Sequence, residues 1–341
     1  MKVLIKNCFF IFLAVAVSNA FAQEKLIFAL ELIRHGDRTP LEEIPNSPHD
    51  WKRGFGELTQ RGWYQELESG RAARKKYVKQ YHLLPANYNP RLVYVRSTDT
   101  KRTIASANAF LLGLYPSKMR RGSIPVHAIS KSQDNLLIVT PGKNIFSLIK
   151  LYFISRKAWQ EQTSYRQEKL RRWRSITGLS LKNYQQIVPL ADNLYIRRIH
   201  HVPMPKGISN DDANEIIQLG KWAVVNYFKL RQVSYPMGHS FLNETNNYFV
   251  NAVEKRSSLK YVLLSAHDSS IMSVMATLGA PLESIPPYAS HVDFALFKNN
   301  KNYYIRVSYN DKLVTIPACG GTVCSLSQFY VLAQATKQQI A

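Results

Sequence analysis

Short apolar runs of strand length alternate along the chain with longer stretches of helical period. KLIFALELI (residues 25–33) is almost wholly apolar, the pattern of a strand buried on both faces of a parallel sheet. Beyond a loop with Pro45 and Pro48, ELTQRGWYQELESGRAARKKYVKQY (57–81) has helical spacing. Thr59 is placed to cap a helix from about Gln60, with Leu67 and Val78 among its inward residues. NPRLVYVRST (89–98) reads as a second strand. DTKRTIASANAFLLGLYP (99–116) reads as a second helix, with Ile104, Ala107, Leu111 and Leu114 on one face and Pro116 ending it. Strand, helix, strand, helix argues for an α/β sheet.

From about residue 142 to 253 the character changes, and four stretches are helical in pattern. FSLIKLYFISRKAW, SYRQEKLRRWRSI, ANEIIQLGKWAVVNYFKL and NETNNYFVNAV follow one another with no clear strand between them. The α/β pattern returns at LKYVLLSAHDSS: residues 261–265 form another buried-strand run, and SIMSVMATLG behind it is a helix that should stop at Gly279. The tail, HVDFALFKNNKNYYIRVSYNDKLVTIP, is broken at KNNKN and YND and predicts antiparallel hairpins. The fold expected is therefore α/β, a mainly parallel sheet flanked by helices. Residues 23–141 and 254–341 would form the α/β domain and 142–253 an inserted helical domain.

The first 22 residues stand apart from this fold. Lys2 and Lys6 precede an apolar run at residues 8–17, and Ala20-Phe21-Ala22 gives a small-x-small pattern, together the marks of a secretory signal cleaved near Ala22. A membrane anchor is the alternative, but a span needs roughly 20 apolar residues. The chain is expected to be exported, periplasmic or secreted, without a membrane span. Lys and Arg number 45 against 23 Asp and Glu, a net charge of +22, which attracts anions at long range without choosing among nucleic acid, anionic lipid and phosphorylated substrates. The basic segment SYRQEKLRRWRS reads first as a solvated helix face. Of three cysteines, Cys8 lies in the leader. Cys319 and Cys324, in CGGTVC, read as a disulfide in an exported protein, since a zinc site would need two further ligands and no second CxxC or HxxxH lies nearby.

Three polar clusters follow three apolar runs: RHGDR (34–38), RSTDTKR (96–102) and SAHDSS (265–270). All three stand at the carboxyl end of an expected sheet strand, the edge at which open α/β sheets bind ligands. Arg34, Arg38 and Arg102 could then face one point, with His35 and His267 beside it. Arginines gathered at one place suit a phosphate, because the guanidinium fork matches its oxygens and keeps its charge. Taken singly, each piece has a plain reading. Strand-end arginines are commonly solvated, a His-Asp dipeptide is commonly loop, and Arg96 and Asp99 could pair with each other or cap the helix behind them.

Together RHGDRTP, RSTDTKRT and SAHD resemble the histidine acid phosphatases, the secreted branch of the histidine phosphatase superfamily, in their prostatic and lysosomal type. The resemblance extends to GELTQRG (56–62), SANAFLLGLYP and IPVH, covers the α/β parts, and is poor in the helical insertion, the region that governs substrate choice in that family. It implies an acid phosphatase, a phosphoric monoester hydrolase, with His35 as nucleophile forming a phosphohistidine. Arg34, Arg38 and Arg102 would hold the phosphate oxygens, His267 would add a phosphate contact, and Asp268 would protonate the leaving group. The resemblance implies no metal and no cofactor, and small phosphate monoesters as partners, with no nucleic acid required and a homodimer left open. Arginines near His35 disfavour its protonated form, so the ring can stay nucleophilic below its ordinary pKa of about 6.5. Asp268 needs a proton, which acid would supply.

Asp37 and the HDSS sequence favour a broad acid phosphatase, because phytases of the family usually carry a neutral residue and HDTN at those places. A phytase-like or more specialised phosphomonoesterase is the alternative within the family. From another class, the charge would suit a basic exported nucleic-acid or surface-binding protein whose phosphatase site has decayed, and the intact set of six site residues argues against decay. Phosphomutase relatives, cytoplasmic and with a glutamate acid elsewhere, fit an exported chain poorly.

Overall fold

The computed structural model describes residues 24–140 and 145–338. The expected signal segment and the expected boundary at residue 142 lie outside the described residues. Among the described residues no helix is long and apolar enough to cross a membrane.

The chain is a mixed α/β fold around one central sheet. Strand β1 (Lys25–Arg34) leads through α1 (Gln60–Ala73) to β2 (Val93–Thr98), and α2 (Lys101–Leu114) leads on to β3 (His127–Ile129). Five helices then intervene: α3 (Ile145–Thr163), α4 (Gln167–Thr177), α5 (Tyr184–Ile199), α6 (Asn210–Lys229) and α7 (Arg231–Val253). The sheet resumes at β4 (Tyr261–Ala266), followed by α8 (Asp268–Thr277). The tail adds β5 (His291–Asn299), β6 (Asn302–Tyr309), β7 (Lys312–Leu313), β8 (Val323–Ser325) and α9 (Leu326–Gln338). Spatial order is β3-β2-β4-β1-β5-β6-β7, with β8 also on β6. The first four strands pair in parallel, and from β5 onward the pairing is antiparallel. Strand β4 thus slots between β1 and β2, with Arg34 level with Ala266 and Ser97 level with Ser265. Three neighbouring strands therefore end together.

The apolar run of β1 is explained by a core on each face. Phe28, Leu30 and Leu32 pack with Phe241 and Phe249 of α7, Ile271 and Val274 of α8, and Phe329 of α9. Ala29 and Ile33 face Tyr77, Phe110 and Leu114 on the α1–α2 side. A third apolar cluster, with Trp173, Leu190, Leu194 and Ile216 at its centre, lies among α4, α5 and α6. Helix α7 thus covers the sheet itself, although it lies in the stretch read as an insertion.

Helix α1 is capped as expected, Thr59 accepting from the Gly62 N–H. Its continuation is π-helical over Arg74–Gln80, and the changed phase buries Tyr77 while Val78 is half-buried. Helix α5 and the first half of α7 were not legible in the pattern because Pro189 and Pro236 interrupt them. Burial of Leu190 and Leu194 in α5, and of Val233, Met237 and Phe241 in α7, outweighs that local cost. The KNNKN and YND turns use left-handed Asn300, Asn310 and Asp311, residues whose short polar side chains tolerate it. Cys319 and Cys324 are bonded to each other, Cα–Cα 5.1 Å, with Cys324 buried on β8. Of the basic helix face, Arg166 and Lys169 pair with Glu215 and Arg172 with Asp212, so part of it anchors α4 to α6.

Beneath β1, on the α1 side, lies a buried set of acids. Glu31 accepts from Tyr261 (2.7 Å), and Asp293 accepts from Tyr77 (3.0 Å), Lys76 (2.9 Å) and Ser308 (3.1 Å). Glu66 is fully buried and neither carboxylate oxygen has a hydrogen-bond donor. Burial, with Asp293 beside it, pushes Glu31 up to about 7, and burial with Glu31 raises Glu66 well above the usual carboxylate range. Such groups keep their protons when folded and lose them when unfolded, so each contributes less stability as pH rises above the unfolded value of about 4.5. Glu66→Gln, which holds its hydrogens at every pH, should gain stability relative to the parent between pH 5 and pH 8 by about 1–3 kcal/mol. Thermal denaturation of both proteins at the two pH values measures this, and a pH-independent difference would contradict it.

Candidate active site

The carboxyl ends of β1, β2 and β4 bring Arg34, His35, Arg38, Arg102, His267 and Asp268 into one site. Arg34 is the last residue of β1, Arg102 lies in the first turn of α2, His267 is the N-cap of α8 and Asp268 its first residue. His35 is held by its backbone: its N–H donates to the Ala266 carbonyl (3.1 Å) and its carbonyl accepts from the Ala289 N–H (3.2 Å). The ring Nδ1 lies 2.8 Å from the Gly36 carbonyl, which can only accept. Nδ1 therefore carries the hydrogen, and Nε2 keeps its lone pair.

The loop that carries Arg38 is pressed onto the start of α1. A Cβ at Gly36 would lie 2.2 Å from the Gly62 carbonyl oxygen, and one at Gly62 would lie 2.1 Å from that of Asp37. Only two glycines allow this approach, which accounts for Gly62 in GELTQRG. Asp37 is fully buried, accepting from the Thr59 hydroxyl, with His200 Nε2 2.8 Å away. The same Thr59 caps α1, so one hydroxyl ties helix and loop together.

Each arginine is oriented by a different part of the chain. Arg34 forms an ion pair with Asp268 (2.8 Å), donates to the Pro286 carbonyl and lies 4.3 Å above the Tyr288 ring. Arg38 is gripped by both oxygens of Asp192 on α5 (2.8 and 3.1 Å). Arg102 Nη2 donates to His267 Nδ1 (3.3 Å). That Nδ1 is thus unprotonated and the other ring nitrogen bears the hydrogen, which goes to the Thr98 hydroxyl (3.1 Å). The Nε hydrogens of all three arginines are buried with no acceptor in the protein. Arg102, Arg34 and Arg38 all act electrostatically on His35, so three cationic groups stand around that ring, an arrangement suited to an oxyanion.

Arg96 pairs with Asp134 (2.5 Å) rather than with Asp99, which is exposed. Asp192, Tyr288 and Thr98 were not picked out from sequence. Asp192 lies on the helix hidden by Pro189 and Tyr288 in a loop, while Thr98 stood unremarked inside RSTDTKR.

Charge and burial set the protonation of the site. His35 is held well below its ordinary value, first by burial and then by Arg102 and Arg34, so burial leads the arginines expected to do this. His267 is lowered by burial and by Arg102. Arg102, pulled down to about 10 by burial and by Arg38, remains charged. Burial would raise Asp268, but Arg34, Arg38 and His267 outweigh it and hold the carboxyl below its usual range. The expectation that Asp268 simply takes a proton from acid solution does not fit these neighbours. Among the described residues, His291, Asp293 and Asp311 are grouped closely enough to hold a metal. Lys76 Nζ already neutralises them, 2.9 Å from Asp293 and 3.7 Å from Asp311.

A family model of the histidine phosphatase superfamily (branch 2) matches residues 25–310, and the chain belongs to that family. The human testicular acid phosphatase is 30% identical over 94% of this chain and 82% of its own length. The bovine prostatic acid phosphatase is 27% identical over 91% of this chain and 84% of its own. Among solved structures, the phytase from Citrobacter braakii superposes with a TM-score of 0.70 over 92% of this chain and 98% of its own, at 18% identity, a likeness of fold.

The glycine contact makes a direct prediction. Gly62→Ala should lose about 2–4 kcal/mol in urea unfolding, because its methyl meets backbone that cannot move aside cheaply. Gly321→Ala, with open space at its Cβ position, should stay within about 0.5 kcal/mol of the parent. Equal costs at the two positions would mean that the loop and α1 are not in this contact.

Proposed function

We propose that the chain is an exported acid phosphatase that hydrolyses phosphate monoesters through a phosphohistidine at His35. The observation that carries this reading is the gathering of Arg34, Arg38 and Arg102 around a neutral histidine whose Nδ1 is engaged by the Gly36 carbonyl, which leaves Nε2 as the nucleophilic nitrogen. Arg34, Arg38 and Arg102 bind the phosphoryl oxygens, and His267, neutral and tethered to Thr98, adds a polar contact. His35 Nε2 attacks phosphorus, the P–N bond forms and the P–O bond to the leaving group breaks. Asp268 gives its proton to that oxygen. Water then attacks phosphorus, its proton passing to Asp268, and the P–N bond breaks to release phosphate. The arginines supply the charge stabilisation for which other phosphoryl-transfer enzymes use metal ions.

The proton on Asp268 comes with the substrate in this reading. A phosphate monoester has a second pKa of about 6, so below that pH it arrives as a monoanion carrying one proton. Its negative charge among the arginines offsets their hold on Asp268, and the proton can move to the carboxylate. Below pH 6 His35 remains neutral because its pKa is depressed. We further propose that residues 1–22 form the cleaved signal and that 142–253 are a helical insertion in the catalytic domain of 23–141 and 254–341. The Cys319–Cys324 bond supports export.

Phosphate release at pH 5 to 6 with EDTA present tests the activity, and full retention of rate in EDTA is expected. A binding protein with a decayed site would release none. His35→Ala should abolish turnover with an unchanged melting temperature, and substantial residual activity in the folded variant would remove the nucleophile role. Asp268→Asn should cost about 10²–10⁴-fold on an alkyl phosphate, whose leaving alkoxide needs a proton, and markedly less on nitrophenyl phosphate. Values of kcat/KM across pH for both substrates decide this, and equal losses would sink the general-acid role. For the parent, kcat/KM on the alkyl phosphate should fall above about pH 6, as the substrate loses its proton.

A further inference from the structure

The arginine site opens on a cavity of about 440 Å³ whose floor is Arg34, Arg38 and Asp268 and whose wall above them is largely apolar. A second cavity of about 710 Å³ adjoins it and is bounded by Tyr152, Trp159 and Tyr227. Val188, Pro189, Val224 and Phe228 line both, so the two cavities lie side by side along α5 and α6, reaching from the phosphate site towards α3. Away from the floor, their charged residues are Asp192, whose carboxylate is taken up by Arg38, and Lys221, Arg156 and Lys182, all three of them exposed at the rim. Long basic side chains at such a rim keep their heads in water. No buried cation among the described residues stands along the wall to receive a second phosphate.

We propose that these cavities bind the leaving group, and that the preferred substrates are monophosphate esters of long, unbranched apolar alcohols. The inference rests on the phosphatase reading above and adds the substrate class. A polyanionic ester would press its further phosphates against Val188, Val224 and Phe228 and beside Asp192, and the cations that could answer them, Lys221, Arg156 and Lys182, are exposed and hydrated, so their compensation is weak. An alkyl chain leaves water along the same wall, and binding of that remote part can be expressed in kcat/KM.

The test is a series of butyl, octyl and dodecyl phosphates, each below its micelle-forming concentration, with nitrophenyl phosphate and inositol hexakisphosphate measured in parallel. The expected result is a rise in kcat/KM of about two- to fourfold per methylene from butyl to octyl. Inositol hexakisphosphate should be poorer than octyl phosphate. Val224→Asn, at the junction of the two cavities, should flatten the rise. Its inhibition constant for inorganic phosphate reports on the same sample whether the arginine site has survived the change. A flat chain-length series on an enzyme that turns over nitrophenyl phosphate overturns this inference and leaves the phosphatase reading standing. Faster hydrolysis of inositol hexakisphosphate than of octyl phosphate does the same. An enzyme that hydrolyses none of these esters overturns both.

Discussion

Everything at the head of the sheet depends on keeping like-charged guanidinium groups together out of water. Two such groups about 6 Å apart repel by roughly 3 kcal/mol at an effective dielectric of 20, before any loss of hydration is counted. Here Asp268 offsets Arg34 and Asp192 offsets Arg38, whereas Arg102 meets neutral His267, and burial with Arg38 pulls it down to about 10. The pairing is incomplete in a useful way. Each carboxylate takes the terminal nitrogens and leaves the Nε hydrogens unsatisfied. An anion among the three arginines would offset repulsion and desolvation at once, so the charge that burdens the free site is the charge that suits it to a phosphate.

The topology decides which residues can take part. Because β4 inserts between β1 and β2, chain segments more than 200 residues apart end within one sheet spacing of each other. The backbone of His35 is clamped between β4 and the turn before β5, which leaves little freedom at the reacting ring. The intervening helices then act on the site from one side. Asp192 of α5 grips Arg38, and His200 at the end of the same helix reaches Asp37. One helix thus orients Arg38 and also lines the cavity above it, so under the proposed reading changes in α5 would alter specificity without touching the strand ends.

Much of this was legible in the sequence where a local rule and the global fold agree. Residues 25–33 had to be a doubly buried strand, Thr59 had to start a helix, and RHGDR, RSTDTKR and SAHDSS had to fall at strand ends. What escaped was set by tertiary contact. Pro189 and Pro236 disguise α5 and α7, whose helical state is sustained by burial rather than by propensity. The π-helical turn buries Tyr77 fully beside the expected inward residue Val78, which packs against the same core while half-buried, an addition no 3.6-residue period foresees. Asp192, Thr98 and Tyr288 carry no motif. They matter because folding places them against Arg38, His267 and Arg34.

The hardest part to foresee was the state of Asp268. Read as a residue type, a general acid calls for acidic surroundings, and an acid optimum would follow from the solution alone. The structure surrounds that carboxyl with Arg34 and Arg38, which together hold it below its usual range in the free protein. The same arginines that prepare the site for an anion therefore deny the acid its proton until an anion arrives. A phosphate monoanion resolves the conflict because it brings charge and proton in one body: the charge weakens the grip of the arginines, and the proton becomes available to the carboxylate beside them. The dianion brings charge without the proton. Under the proposed mechanism acid dependence would then belong to the complex of enzyme and substrate, since in the free protein both His35 and Asp268 are held below their ordinary pKa values.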